Sequence, residues 1–423
     1  MRDIALASIL IIGTLWALRH PYIGILMWTW ISIMNPHRQS WVIHDYPVAA
    51  IVGGATLIGL FLTSDRRNFF MTAPSTILLL FSLWMCVTFQ FSFFPEESLP
   101  MLVRVLKIIL MIFVVMILLY TRKHITMLAW VLVGSLGFYG VKGGVFTILT
   151  GGSHRVWGPP DSFIEGNNEV ALALIMIVPL MFFLRSQYSR PWIRHALLIA
   201  MLLSSIAAIG SQSRGALLAI IAMAFLLWTR VNQKGLFAVL IVMLGISMTV
   251  FMPESWHNRM ETIQTYQEDA SAMGRINAWQ MTWNLATDRF WGGGFAIYNR
   301  PTFHTYAPKP DDIHAAHSIY FQVLGEHGFV GLSLFLLFWF FTWRWAGWLR
   351  THAVGNEETE WAAVLGSMVQ VGLVGYAVGG AFLSLAYFDL PYNMMVLVVL
   401  ARRWVEHYQA GGNSDTQNLP KKT

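Results

Sequence analysis

The residues best able to do chemistry lie between Gly274 and Gly331. The stretch opens Gly274-Arg275-Ile276-Asn277-Ala278-Trp279 and passes through Gly292-Gly293-Gly294. It closes with Asp311-Asp312-Ile313-His314-Ala315-Ala316-His317-Ser318-Ile319-Tyr320 and Gly325-Glu326-His327-Gly328. His317 stands where this polar insertion gives way to an apolar run. A neutral imidazole there could take a proton from a hydroxyl. Arg275 is in the same stretch, and Arg214 sits in Ser211-Gln212-Ser213-Arg214-Gly215. Guanidinium groups bind phosphate oxygens in bidentate fashion and offset charge on an anionic leaving group. The pattern suggests transfer to a hydroxyl with an anionic leaving group: His317 as base, Arg214 and Arg275 as its cations. The plainer alternatives are a capping histidine and a headgroup-anchoring arginine.

His304, Asp311, Asp312, His314 and His317 also invite a metal reading. Pro310 and the irregular run around it leave their geometry unfixed, and no complete ligand set has a known zinc spacing. We expect no metal and no other cofactor. Further cations occur inside apolar runs, where a charge is costly and is normally paired or wet. Arg104 and Lys107 are three apart on one face and could line an outward-open, anion-attracting cavity. Lys142 follows Tyr139-Gly140-Val141 and precedes two glycines. Arg155 lies in the loop between the next runs. These four, with His314, Tyr320 and Glu326, form the expected substrate-binding set.

The chain around these residues is very apolar. Of 423 residues, 56% are hydrophobic and 12% charged, about half the ~25% charge of soluble domains. Mean hydropathy is +0.54. The long runs lack strand-like alternation, so we expect an all-α polytopic membrane protein. Runs fall at 4–18, 22–34, 46–62, 74–94, 99–120, 125–150, 168–184, 196–210, 215–229, 235–252, 317–343, 361–386 and 390–401. That is 12 or 13 transmembrane helices, because the first two runs could be one broken hairpin. Nineteen Trp and thirteen Tyr suit interfacial belts. Cys86 is the only cysteine, which rules out an intrachain disulfide and a cysteine metal site.

Lysine and arginine set the orientation. Loops 63–73, 121–124, 185–195, 229–234, 344–360 and the tail from 402 hold fifteen; the alternate short loops hold only Arg38, Arg155 and Arg214. The positive-inside rule puts the first group and the C-terminus in the cytoplasm. The net charge of +6 follows from this topology, so no nucleic-acid partner is expected. The insertion 253–316 then lies on the outer face. Trp256, Met260 and Ile263, then Ile276, Trp279, Trp283, Ala286 and Phe290, recur at helical spacing, predicting two amphipathic surface helices. Residues 301–312 read as irregular, and 411–423 as a disordered tail. The chain divides into an N-terminal transmembrane region, 1–124, and a catalytic region, 125–410.

The motif order resembles the O-antigen ligase and polymerase superfamily. It comprises Gly166-Asn167-Asn168-Glu169, Ser213-Arg214-Gly215-Ala216, Gly274-Arg275, Gly292-Gly293-Gly294-Phe295 and His317-Ser318-Ile319-Tyr320 through Gly331. The N-terminal residues Arg19-His20-Pro21-Tyr22 and Met34-Asn35-Pro36-His37-Arg38 resemble the O-glycosylation ligases linked to exosortase A. The resemblance implies a GT-C-like, metal-independent, inverting glycosyltransferase in the bacterial inner membrane. It would move a glycan from undecaprenyl diphosphate to a hydroxyl of a protein, lipid or glycan at the periplasmic face. It assigns the family's loop histidine to His317 and its two arginines to Arg214 and Arg275. Ser318 stands where the family often has Asn, and Asn167 where it usually has Pro. A repeat-unit polymerase is the alternative within this class. A transporter of polyprenyl-linked sugars would show repeated halves, and no internal repeat is evident.

Overall fold

The computed structural model describes residues 2–64, 66, 70–230, 234–235, 254 and 270–411. Among these residues the protein is all-helical, with fourteen α-helices. They are α1 (Arg2–Arg19), α2 (Pro21–Met34), α3 (Val48–Leu62), α4 (Ala73–Phe89) and α5 (Pro95–Leu118). Then come α6 (Arg122–Leu149), α7 (Asn167–Gln187), α8 (Pro191–Gly210), α9 (Arg214–Arg230) and α10 (Ala270–Asp288). The last are α11 (Arg300–Tyr306), α12 (Ile319–His352), α13 (Glu357–Gly380) and α14 (Asp389–Gln409). Helices α5–α8, α12 and α13 are long and apolar enough to cross a membrane. The chain is a polytopic membrane protein.

Local chemistry sets many helix ends. Proline opens α2, α5 and α8, at a position whose N–H has no helical partner anyway. Asn35, left-handed at φ 49, ends α2. Thr72 and Ser75 form a capping box for α4. Twelve helices, all but α10 and α11, fall on twelve of the thirteen apolar runs. The first two runs are separate helices joined at His20. The run 235–252, the first amphipathic helix and the tail beyond 411 lie outside the described residues.

The connections sort into two ends. At one end, Arg38 pairs with Asp161 at 3.4 Å, the Asn167 amide donates to Ser211 O, and the Phe93 N–H donates to Gly293 O. At the other, Arg122 pairs with Glu358 at 3.7 Å and the Gln409 amide donates to His352 O. This is the grouping that lysine and arginine predicted. Between the ends, α14 runs through the centre, with every residue from Asp389 to Ala401 buried. Small residues let α6 and α8 cross closely, and a Cβ on Gly144 would overlap the Leu203 carbonyl. α10, Ile297 and α11 form a small core of their own around Met281, Leu285 and Phe303.

Three features depart from expectation. Residues 300–306 are helical where the prolines suggested an irregular run, because Asn299 caps Thr302 N and Pro301 sits in the first turn. The run 361–386 is not one span, since α13 stops at Gly380 and residues 381–388 form a buried connection. α12 continues to His352 but is broken at Gly328, whose φ is 67 and ψ −172. The break frees three carbonyls and each finds a donor. Gly293 N–H donates to Gly325 O and Gly294 N–H to Glu326 O, both at 3.0 Å. The Trp84 indole N–H donates to His327 O at 2.9 Å. Irregular backbone inside a membrane protein survives only where its polar groups are satisfied in this way.

Candidate active site

α10 and the start of α12 hold the loop chemistry between them. The Asn277 amide donates to Lys309 O and Asp312 O and accepts from Lys309 N–H, which fixes the strand-like approach to His314. Gly274 is buried against the His314 ring, where no side chain would fit. His314 Nε2 lies 2.8 Å from Asp312 Oδ1. The Trp279 indole donates to Ala316 O at 2.6 Å, and its ring stacks on Phe321 at 5.0 Å. His317 is thus clamped on both sides. It has a positive φ of 43, and its backbone N–H donates to Ser384 Oγ at 3.1 Å.

His317 is half-buried. Burial first, then the Arg275 guanidinium, then His314 push its imidazole down from the ordinary 6.5 to about 4. It is therefore neutral at pH 7. Among the described residues nothing hydrogen-bonds to its ring, so a lone pair remains available to a ligand. Arg275 acts electrostatically on both His317 and Glu169, the latter in the first turn of α7.

Arg214 arrives from the other side. Gln212, left-handed at φ 59, makes the turn that starts α9, and Ser213 Oγ accepts from Ala216 N–H. Gly215 packs against Phe382 and Gly379. The connection that receives Gly215 also supplies Ser384 to His317, so Arg214 and His317 flank one segment. Asn167, at the head of α7, ties this turn to the helix whose first turn carries Glu169. Arg155 Nε donates to Gln212 Oε1 at 3.4 Å, and the Gln212 amide donates to Gly152 O. Arg155 and Lys142 line one cavity of about 450 Å³ with Gln39, Tyr139 and Trp157. Lys142 is seven residues from the end of α6 at Leu149.

The remaining residues go elsewhere. Arg104 and Lys107 line a different cavity, about 790 Å³. α5 starts at Pro95, so Arg104 lies nine residues into the helix. The Tyr320 hydroxyl donates to Ala377 O at 2.8 Å and anchors α12 on α13. Glu326 is 3% exposed; its carboxylate accepts from the Tyr387 hydroxyl and the Gln322 amide. Neither Tyr320 nor Glu326 lines either cavity. His304 pairs with Asp311 at 3.3 Å and His314 with Asp312, so the loop acids and histidines form two separate pairs. Ser384 carries no signal of its own, because it sits inside a continuous apolar run. Gln212 was visible in its motif without a role.

Residues 199–336 match the family described as O-antigen ligase. Over this stretch the chain is similar to O-antigen ligases. The stretch contains Arg214, Arg275, His314, His317, Tyr320 and Glu326. Residues 1–189 match a family of unknown function, DUF5935, which contributes Arg104, Lys107, Lys142 and Arg155. No curated protein matches the chain. The match supports an enzyme of the glycan ligase or polymerase type, and that family implies a lipid-linked glycan donor and an acceptor.

Proposed function

We propose that the chain is a ligase that moves a glycan from undecaprenyl diphosphate to an acceptor hydroxyl at the periplasmic face of the inner membrane. The observation that carries this is His317: a neutral imidazole with an open ring, beside Arg275, at the junction of loop and bundle. The positive-inside count supports an outer-face site. The acceptor hydroxyl attacks the anomeric carbon from the face opposite the diphosphate. The new C–O bond forms as the bond to the diphosphate oxygen breaks, and the electron pair leaves on that oxygen. His317 takes the hydroxyl proton. Arg214 and Arg275 balance the charge that builds on the leaving group, and attack in line inverts the anomeric centre. Arg155, joined to the Arg214 turn through Gln212, and Lys142, in the same cavity as Arg155, extend the cationic surface toward the rest of the donor.

This arrangement gives the donor control over the base. Arg275 depresses the His317 pKa. A diphosphate on Arg275 offsets that cation and raises the basicity of the imidazole when a substrate is in place. Arg214→Ala is expected to fold normally and to lose activity by ~10²–10³-fold, the scale of removing one preorganised charge-stabilising group. Transfer by the purified variant at the wild-type rate would remove Arg214 from the mechanism.

A repeat-unit polymerase would use the same donor and a similar hydroxyl, so the deletion strain separates the two. A ligase predicts full-length glycan accumulating on its lipid carrier and absent from the acceptor. Single repeat units still attached to the acceptor would identify a polymerase instead. The exosortase-linked reading rests on the N-terminal residues and favours a protein acceptor.

A further inference from the structure

The 790 Å³ cavity is built mainly by the N-terminal segment. α2, the connection 35–47, α3 and α5 form its walls, and Asp161, Phe163 and Asp389 close it. None of Arg155, Arg214, Arg275 or His317 lines it. Two cations enter it from one face of α5. Lys107 is twelve residues past Pro95 in a 24-residue spanning helix, about 18 Å along it at 1.5 Å per residue. A lysine at that depth needs a partner or a wet, polar neighbour.

The acids around the cavity are engaged. Asp389 accepts from the Ser32 hydroxyl and acts electrostatically on Arg104. Asp161 pairs with Arg38 at 3.4 Å, and Asp45 with His44 at 2.9 Å. Arg104 lies over the Phe163 ring at 4.0 Å. Lys107 is exposed and makes no hydrogen bond or ion pair among the described residues. Beside these charges the walls turn apolar, with Leu57, Val103, Leu110 and Met111 among them. The trough is open at Gly54, where an added Cβ would meet nothing within 4 Å.

A cationic end continuous with an apolar trough, open on the side of the bundle, has the polarity of a lipid with an anionic head. Ammonium and guanidinium groups bind phosphate strongly where water is scarce. The volume is within the ~300–1,000 Å³ range of small-molecule sites. We propose that this cavity holds a phosphate-headed lipid, with its head at Lys107 and Arg104 and its chain along the trough between α3 and α5. The proposal shares no residue with the transfer site and does not depend on that reading.

Two sources carry this chemistry, the glycerophospholipids of the bilayer and a polyprenyl phosphate. The purified full-length protein, Lys107→Gln and Gly54→Phe are each incubated in detergent with phosphatidylglycerol, undecaprenyl phosphate or diacylglycerol. Bound lipid is counted by native mass spectrometry. Wild type should retain one phosphate-headed lipid and no diacylglycerol. Lys107→Gln should weaken retention about tenfold, the loss of one charge-assisted contact. Gly54→Phe adds a ring to the trough wall at a position where a Cβ has open space, and should abolish retention. Preference for phosphatidylglycerol makes the bilayer the source, and preference for undecaprenyl phosphate makes it the carrier pool; both support the site. Equal retention of diacylglycerol, or wild-type retention by either variant, would overturn it.

Discussion

His317→Asn should leave the protein folded and reduce transfer by ~10²–10⁴-fold, the usual contribution of a positioned general base. Asparagine is the better first variant because His317 has φ 43, a region that Asn tolerates and Ala does not. His317→Ala should lose as much activity and also some stability. A donor-hydrolysis and transfer assay on purified protein reads the first effect, and a thermal melt in detergent the second. The pH profile adds a sharper test. Burial, Arg275 and His314 hold the imidazole near 4. Protonation removes the base, so kcat/KM should be flat near neutrality and fall on the acid side, around 4. With donor on Arg275, the kcat limb should lie higher. Arg275→Ala removes a group that lowers this pKa, so its kcat/KM limb should move up toward 6.5 while kcat falls. A His317→Asn variant with wild-type rate would end the assignment. An unmoved acid limb in Arg275→Ala would separate Arg275 from His317.

The parts of this site that could be read from sequence are those carried by residue type. Arg275, His314 and His317 stood in one polar insertion, and the structure places Arg275 and His314 where they act on His317. The twelve helices were visible because each is a long apolar run. What hydropathy missed is buried irregular backbone. Residues 382–388 are as apolar as a helix because Leu383, Leu385, Ala386, Tyr387 and Phe388 are all buried. The connection is held by side chains from distant positions. Gln322 accepts from Ala386 N–H, and the Tyr376 and Tyr392 hydroxyls donate to Leu385 O and Ala386 O. No local pattern encodes that kind of satisfaction. The break in α12 did leave a trace, a Glu-His pair flanked by Gly325 and Gly328 inside an apolar run.

That break should make Gly328 the least replaceable glycine near the site. Gly328 has φ 67 and ψ −172, a combination almost confined to glycine and costing other residues ~1–3 kcal/mol. A Cβ there would also overlap the Phe290 carbonyl oxygen and come within 3.3 Å of Gly292 N. Relief requires the 290–294 segment to move away, and that segment donates Gly293 and Gly294 N–H to the freed carbonyls of Gly325 and Glu326. Each buried carbonyl left without its donor costs a further ~1–3 kcal/mol. Gly328→Ala should therefore lose several kcal/mol, on the scale of the whole ~5–15 kcal/mol stability of a domain. The measurement is folded yield after membrane extraction and the melting midpoint in detergent. Gly134→Ala is the control: it lies in α6 with nothing within 4 Å of its added Cβ, and alanine favours helix over glycine by ~1 kcal/mol. A Gly328→Ala protein that melts with Gly134→Ala would mean that the helix runs unbroken and that the glycine segment is not its cap. The consequence reaches the chemistry. The half of α12 before the break begins at Ile319, next to His317, and its last carbonyls are tied to Gly293 and Gly294 just beyond α10, which carries Arg275. The break is what fastens one end of that half-helix to the loop while Tyr320 fastens the other to α13. A second-site variant that restores folding without restoring the break should therefore still transfer glycan slowly.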